Sequence, residues 1–105
     1  MKYVVAIAIL AFVAPVAAQQ RADTTFQPVV DNPTYAPGAG PVVLLDAAHY
    51  NFHTLDGRFL AFGRVLQGDG YAVRSSDVPF SPASLEGAAI LVISNALNER
   101  NVEVD

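Results

Sequence analysis

The sequence contains no cysteine, few basic residues and no apolar run long enough for a membrane-spanning helix. Without cysteine, the 105 residues hold no disulfide, no thiolate metal site and no cysteine nucleophile. Six Lys and Arg residues stand against ten Asp and Glu residues, and the charges are scattered. No basic surface is therefore expected, and nucleic acid is excluded as a partner.

The first 18 residues have the organisation of a secretory signal peptide. A basic start precedes the apolar run of residues 3–16, and Val16 and Ala18 occupy the −3 and −1 positions of a cleavage site. A retained anchor is the alternative, but the run is shorter than the roughly 20 residues that span a bilayer. We expect residues 1–18 to be cleaved, so that the protein is periplasmic or secreted from a bacterium and meets the membrane only through this segment before cleavage.

Residues 19–40 are predicted to form a linker or an extended arm. Proline and glycine recur here among polar residues. Because these residues interrupt helices and strands, the segment shows no helical or alternating periodicity. The remaining residues, 41–105, are expected to form an α/β domain.

The apolar pattern changes beyond residue 40 and predicts alternating strands and helix. The continuous apolar run at residues 42–45 is typical of a strand buried on both faces of a parallel sheet. Phe59, Phe62 and Leu66 recur at helical spacing and predict one apolar stripe packed on the sheet. The predicted elements are a strand at 42–45, a helix at 58–67 stopped by Gly68, a strand at 71–75, a Ser-Pro turn at 81–87 and a strand at 88–94.

This order of elements indicates a flavodoxin-like α/β sheet of three parallel strands in the order 2-1-3, with right-handed crossovers. Three strands and one helix cannot cover both faces of such a sheet. We therefore interpret residues 41–105 as an incomplete domain, the N-terminal portion of a longer α/β protein. A self-sufficient small domain or an obligate oligomer is the weaker alternative.

Polar side chains follow the first and third predicted strands, where open parallel sheets bind ligands. Asp46, His49 and Asn51 come directly after the first strand, and Asn95 follows the third. Because these strands are neighbours in the expected order, the four residues are predicted to line one pocket. In a catalytic role, His49 would be an acid or base oriented by Asp46, and Asn95 would donate a hydrogen bond to an oxyanion. His53 is predicted to be peripheral, bonded to its own loop or to solvent.

Other interpretations of the same residues stay open. His49 and His53 are four apart, which suits two metal ligands on a helix, but no third ligand accompanies them and the following residues favour a loop. No metal and no cofactor are predicted. Asp46 and Asn51 can also simply cap the loop backbone, and a Ser94 in the middle of a strand is more often a buried hydrogen-bonding group than a nucleophile.

The segment Asp46-x-x-His49-x-Asn51-Phe52-His53, followed by an Asp-Gly-Arg-Phe turn and the strand that ends in Ser94 and Asn95, resembles a bacterial family labelled domain of unknown function 4350. That family is similar in topology to class I glutamine amidotransferase-like proteins. The resemblance implies an α/β fold but no established activity. Family members often carry an acidic residue after the Asp, where this chain has Ala47.

Two classes of function follow from these observations. The first is a non-catalytic exported domain that binds a small molecule or acts as a scaffold. The second is a hydrolase-like enzyme whose site is completed by residues beyond Asp105.

Overall fold

The computed structural model describes residues 21–99, so the predicted signal peptide lies outside the described part. Three strands, β1 (Val42–Asp46), β2 (Ala72–Ser76) and β3 (Ala88–Val92), form one parallel sheet in the order β2-β1-β3. The helix α1 (Leu60–Gly68) connects β1 to β2. The predicted α/β class and strand order 2-1-3 are confirmed. Over residues 21–99, no helix has the length and hydropathy needed to cross a bilayer.

The central strand β1 is the core of the described structure. Val43, Leu44 and Leu45 are 1%, 4% and 2% exposed, so side chains on both faces of the strand are buried. This is the pattern that a continuous apolar run predicts for a strand covered on two sides. The run also positions Asp46, the last residue of β1, at the carboxyl edge of the sheet.

The helix α1 begins two residues later than predicted, because residues 55–59 form turns, and it ends at Gly68. Gly68 is thus the last helical residue, and the residue after the helix that has a positive φ is Gly70, at 94°. Here the Asp69 and Gly70 N–H groups donate to the carbonyls of Val65 and Gln67. These bonds satisfy carbonyl groups that the end of a helix would leave without partners.

The apolar stripe of α1 is less buried than predicted. Phe62 is 41% exposed, so the prediction that it packs in the core is wrong, and Phe59 is half-buried. The helix contacts β2 rather than lying across the whole sheet. The one buried residue of α1 is Gly63, which approaches the side chain of Leu55 too closely to leave room for a Cβ atom.

The strand β3 is shorter than predicted and forms an edge of the sheet. It ends at Val92 instead of residue 94, and among the described residues it pairs only with β1. Ile90 and Leu91 are 47% and 38% exposed, and Ile93, just past the strand, is 52% exposed. An apolar sequence alone does not bury a strand that has a neighbour on only one side.

The connection from β2 to β3 contains the predicted Ser-Pro turn. The Ser81 hydroxyl accepts a hydrogen bond from the Ser84 N–H at 3.0 Å, and the Ser81 carbonyl accepts one from the Leu85 N–H at 3.0 Å. Gly87, with φ of 76°, then turns the chain into β3. This connection brings Phe80 to the carboxyl edge of the sheet, where it contacts His49.

The described part of the predicted linker, residues 21–40, has no helix or strand but is attached to α1 and the turn after it. Arg64 donates to the Thr24 and Phe26 carbonyls, each at 2.8 Å. Asp69 accepts from the Thr34 N–H at 2.7 Å and from its hydroxyl at 3.0 Å. The segment is therefore an arm that packs along the helix before it enters β1.

Candidate functional site

The candidate site begins with Asp46, whose side chain is completely buried at the end of β1. Its carboxylate accepts hydrogen bonds from the Ala48 N–H at 3.1 Å, the Asn51 amide at 3.0 Å and His49 Nδ1 at 2.8 and 2.9 Å. The bond to the N–H two residues later is a turn that aspartate forms locally. Asp46 therefore forms a turn after the strand and accepts hydrogen bonds from the polar groups that follow it.

The hydrogen bonds decide the charge of Asp46. Burial raises the pKa of its carboxyl group, but the donors of Ala48, Asn51 and His49 together outweigh that effect and hold the pKa below the ordinary aspartate value. Asp46 is thus ionised at neutral pH inside the protein. Its charge is compensated by neighbouring donors, in agreement with the rule that buried charges are hydrogen-bonded.

His49 is oriented by this carboxylate. Because an ionised carboxylate only accepts hydrogen bonds, Nδ1 of His49 carries the proton of the bond and Nε2 is the other ring nitrogen. The side chain is 37% exposed, and Nε2 has no hydrogen-bond partner among the described residues. The ring lies 4.6 Å from the ring of Phe80, centroid to centroid. The arrangement leaves Nε2 as the ring nitrogen that can meet a ligand, and when the imidazole is neutral this atom is an acceptor or a general base.

Asn51 joins the two strand ends. Its amide nitrogen donates to Asp46 and to the Ser94 carbonyl at 3.1 Å, and its oxygen accepts from the His49 N–H at 2.9 Å. Every polar atom of the side chain therefore has a partner. Asn51 connects the loop after β1 to the residues after β3, as expected from the adjacency of these strands.

The structure brings together three of the four predicted residues and separates the fourth. The Asn95 side chain bonds His53 at 3.3 Å and does not contact Asp46 or His49. His53 also contacts the Ser94 hydroxyl, at 3.2 Å, so the prediction that His53 meets only its own loop or solvent is wrong. Asn95 has a positive φ of 43°, which turns the chain away from the extended direction of β3.

Two side chains at this edge were not predicted from the sequence to contact the histidines, Phe80 and Ser94. Phe80 lies in the connection between β2 and β3, which must cross β1 to reach the far side of the sheet. An aromatic residue in that connection is the sequence signal from which its contact with the histidine could have been predicted. Ser94 was predicted to be an ordinary buried hydroxyl, and the residue is half-buried.

A groove of about 220 Å³ lies beside the site, at the carboxyl end of β2. None of the four predicted site residues lines it. The groove has mixed charge, because Arg74, Asp77 and Glu86 are among the residues that line it. Over residues 21–99, no three histidine or acidic side chains are grouped so as to hold a metal ion.

The fold and the polar edge define a small parallel α/β sheet with a carboxylate-oriented histidine at its carboxyl end. Comparison with protein-family models, curated proteins and solved structures found no match. The resemblance to the family labelled domain of unknown function 4350 therefore stays a prediction, and the function is argued from the site itself.

Proposed function

We propose that the protein is an exported α/β domain that binds a small polar molecule at the carboxyl edge of its sheet, with His49 as the group that meets the ligand. The observation that supports this is the bond between His49 Nδ1 and the buried Asp46 carboxylate. Such a bond selects one tautomer and one ring orientation of His49. To form it, the protein must keep the charged Asp46 carboxylate buried. A partly exposed histidine held in this way is suited to recognition.

The contacts also indicate the ligand chemistry. When the imidazole of His49 is neutral, Nε2 accepts a hydrogen bond, and the nearby negative charge of Asp46 disfavours an anion. Phe80, which is 37% exposed, offers aromatic surface in contact with the imidazole, and the residue after His49, Tyr50, is 49% exposed. A small molecule that carries hydroxyl or amine donors and some apolar surface fits these groups best.

Binding is tested by titrating the ¹⁵N-labelled protein with a panel of monosaccharides and amino alcohols. We expect the imidazole ¹⁵N signal of His49 to shift together with the amide signals of Tyr50 and Phe80. The His49→Phe variant keeps an aromatic ring but lacks Nε2, and it should bind at least about tenfold more weakly, the effect of losing one hydrogen bond.

Gln67→Ala, at an exposed helix position, is the matched control and should bind as the wild type does. Equal affinity of wild type and His49→Phe would refute the role of His49. A panel in which no compound shifts the carboxyl-edge signals would refute the binding proposal as a whole.

Export is the second part of the proposal and rests on the sequence of residues 1–18. We expect the protein expressed in a bacterium with a periplasm to be recovered there as a chain that begins at Gln19. Intact-mass measurement of that fraction gives the position of cleavage. Recovery of the uncleaved chain in the membrane fraction would instead support the retained anchor.

A hydrolase-like activity is the second candidate function. The observation that favours it is the contact between the Ser94 hydroxyl and His53. This pair is separate from the contact between Asp46 and His49, so the two candidates can be tested independently.

A further inference from the structure

A hydroxyl and an imidazole meet just beyond the end of β3. Ser94 Oγ lies 3.2 Å from His53 Nδ1, within reach of a hydrogen bond. Nucleophilic serines are recognised by such contact with a base, and the distance is commonly at the long end before substrate binds. Ser94 is half-buried, and the next residue, Asn95, is exposed.

Two side chains beyond β3 contact Nδ1 of His53. The amide nitrogen of Asn95 is 3.3 Å from the same Nδ1 atom, and an amide nitrogen can only donate. In the tautomer of the neutral ring that leaves Nδ1 unprotonated, Ser94 Oγ–H can donate to this atom. The ring is held between aromatic neighbours, with centroids 5.1 Å from Phe52 and 4.8 Å from Phe59.

The backbone turns directly after Ser94. Asn95 has φ of 43°, a left-handed conformation that asparagine adopts more readily than most residues other than glycine. The Ser94 carbonyl accepts from Asn51, and the Asn95 carbonyl accepts from the Phe52 N–H at 3.2 Å. The Asn95 N–H makes no hydrogen bond to another described residue. The N–H of the residue that follows a nucleophile is a common oxyanion donor.

We propose that Ser94 is a nucleophile toward carboxylic esters, with His53 as its base and the Asn95 N–H as an oxyanion donor. This inference rests on the hydrolase-like candidate and goes beyond it by assigning the nucleophile to this chain. Ser94 Oγ attacks the ester carbonyl carbon, and its proton passes to His53 Nδ1. The tetrahedral intermediate then expels the alcohol, which takes that proton from His53.

The second half of the reaction releases the acyl group. A water molecule gives a proton to His53 and attacks the acyl carbonyl of Ser94. Collapse of this intermediate breaks the bond to Ser94 Oγ, which recovers the proton, and the carboxylic acid leaves. The sum is one ester and one water converted to one acid and one alcohol.

The test uses the full chain and p-nitrophenyl acetate as the probe. We expect release of p-nitrophenolate and a transient mass increase of one acetyl group, which peptide mapping should assign to Ser94. Mapping of the unaltered protein needs no variant, so it gives an answer even if substitutions disturb folding. Acetyl groups found only on lysine or on other serines would overturn the proposal.

Variants then separate the roles of the two residues. Ser94→Ala should form no acetyl intermediate, and His53→Phe, which keeps a ring between its aromatic neighbours, should acylate about 100-fold more slowly, a typical general-base contribution. Ser75→Ala, an exposed serine in β2, is the matched control and should react as the wild type does.

Far-ultraviolet circular dichroism checks that each variant is folded. Acylation of folded Ser94→Ala at the wild-type rate would refute the nucleophile, and an unchanged rate in folded His53→Phe would refute the base. Because this test reads a covalent adduct at Ser94, its failure is distinct from a failure of ligand binding at His49.

Discussion

Replacement of Gly70 by alanine should lower the free energy of unfolding by roughly 3 kcal/mol, the sum of a left-handed conformation and an overpacked contact. Gly70 is buried with φ of 94°, and a Cβ atom there would lie 2.2 Å from the Tyr35 carbonyl oxygen. Tyr35 cannot retreat easily, because its N–H donates to the Asp69 carbonyl at 3.1 Å. Urea unfolding followed by circular dichroism measures the loss.

Gly38 provides the matched control for Gly70. Its φ is 70°, also left-handed, but a Cβ atom at this position would meet nothing within 4 Å. Gly38→Ala should therefore cost only the conformational part, about 1 kcal/mol. Equal losses of unfolding free energy in the two variants would show that the close contact between Tyr35 and Gly70 adds nothing to the cost of the substitution.

Replacement of Asp46 by asparagine should cost about 2–3 kcal/mol, although the two side chains have nearly the same shape. Both carboxylate oxygens accept hydrogen bonds, one from Ala48 and the other from Asn51, and His49 contacts both. An asparagine would turn an NH₂ group toward one of these donors in a buried place. We expect lower stability in urea and an altered ¹⁵N signal of the His49 imidazole.

The cost of Asp46→Asn should depend on pH. Because the pKa of Asp46 is lowered in the folded protein, its contribution is fully present above the unfolded value of about 3.9 and is lost as pH falls through the folded pKa. The difference in unfolding free energy between wild type and variant should thus shrink as the pH falls through the folded pKa of Asp46. A difference that grew below pH 4 would contradict the assigned direction of the pKa.

Asp23 is the control for this substitution. Its carboxylate also accepts three hydrogen bonds, from Thr25 and Phe26, but all of them go to one oxygen and the group is exposed. Asparagine keeps an oxygen for those donors. Asp23→Asn should therefore leave the urea midpoint nearly unchanged, and a large loss there would show that the charge, rather than the number of acceptor atoms, matters at both positions.

The parts of the fold that depend on local sequence were predictable. The apolar run ending at Leu45 indicated a central buried strand, and the element order implied the strand order 2-1-3. The contact between Asp46 and His49 also followed, because both lie in one short turn after β1. Short-range geometry and strand adjacency therefore account for the grouping of Asp46, His49 and Asn51.

The parts that depend on backbone direction or distant contacts were not predictable. Asn95 bonds His53 instead of approaching Asp46, because its left-handed conformation redirects the chain after β3. Proline and glycine predicted an arm without regular structure, but nothing local shows that it meets Arg64, 40 residues beyond Thr24. The exposure of Phe62 likewise depends on where α1 crosses the sheet.

Because β3 is an exposed edge of the sheet, the apparent stability of the protein should depend on its concentration in solution. Ile90 and Leu91 carry no charge that would repel a second strand, and the outer main-chain groups of β3 have no strand partner among residues 21–99. Edges of this kind template pairing with other chains. By mass action, any such pairing stabilises the folded state and raises the apparent midpoint of unfolding as the sample is concentrated. Free energies of different variants are therefore comparable only at matched concentrations.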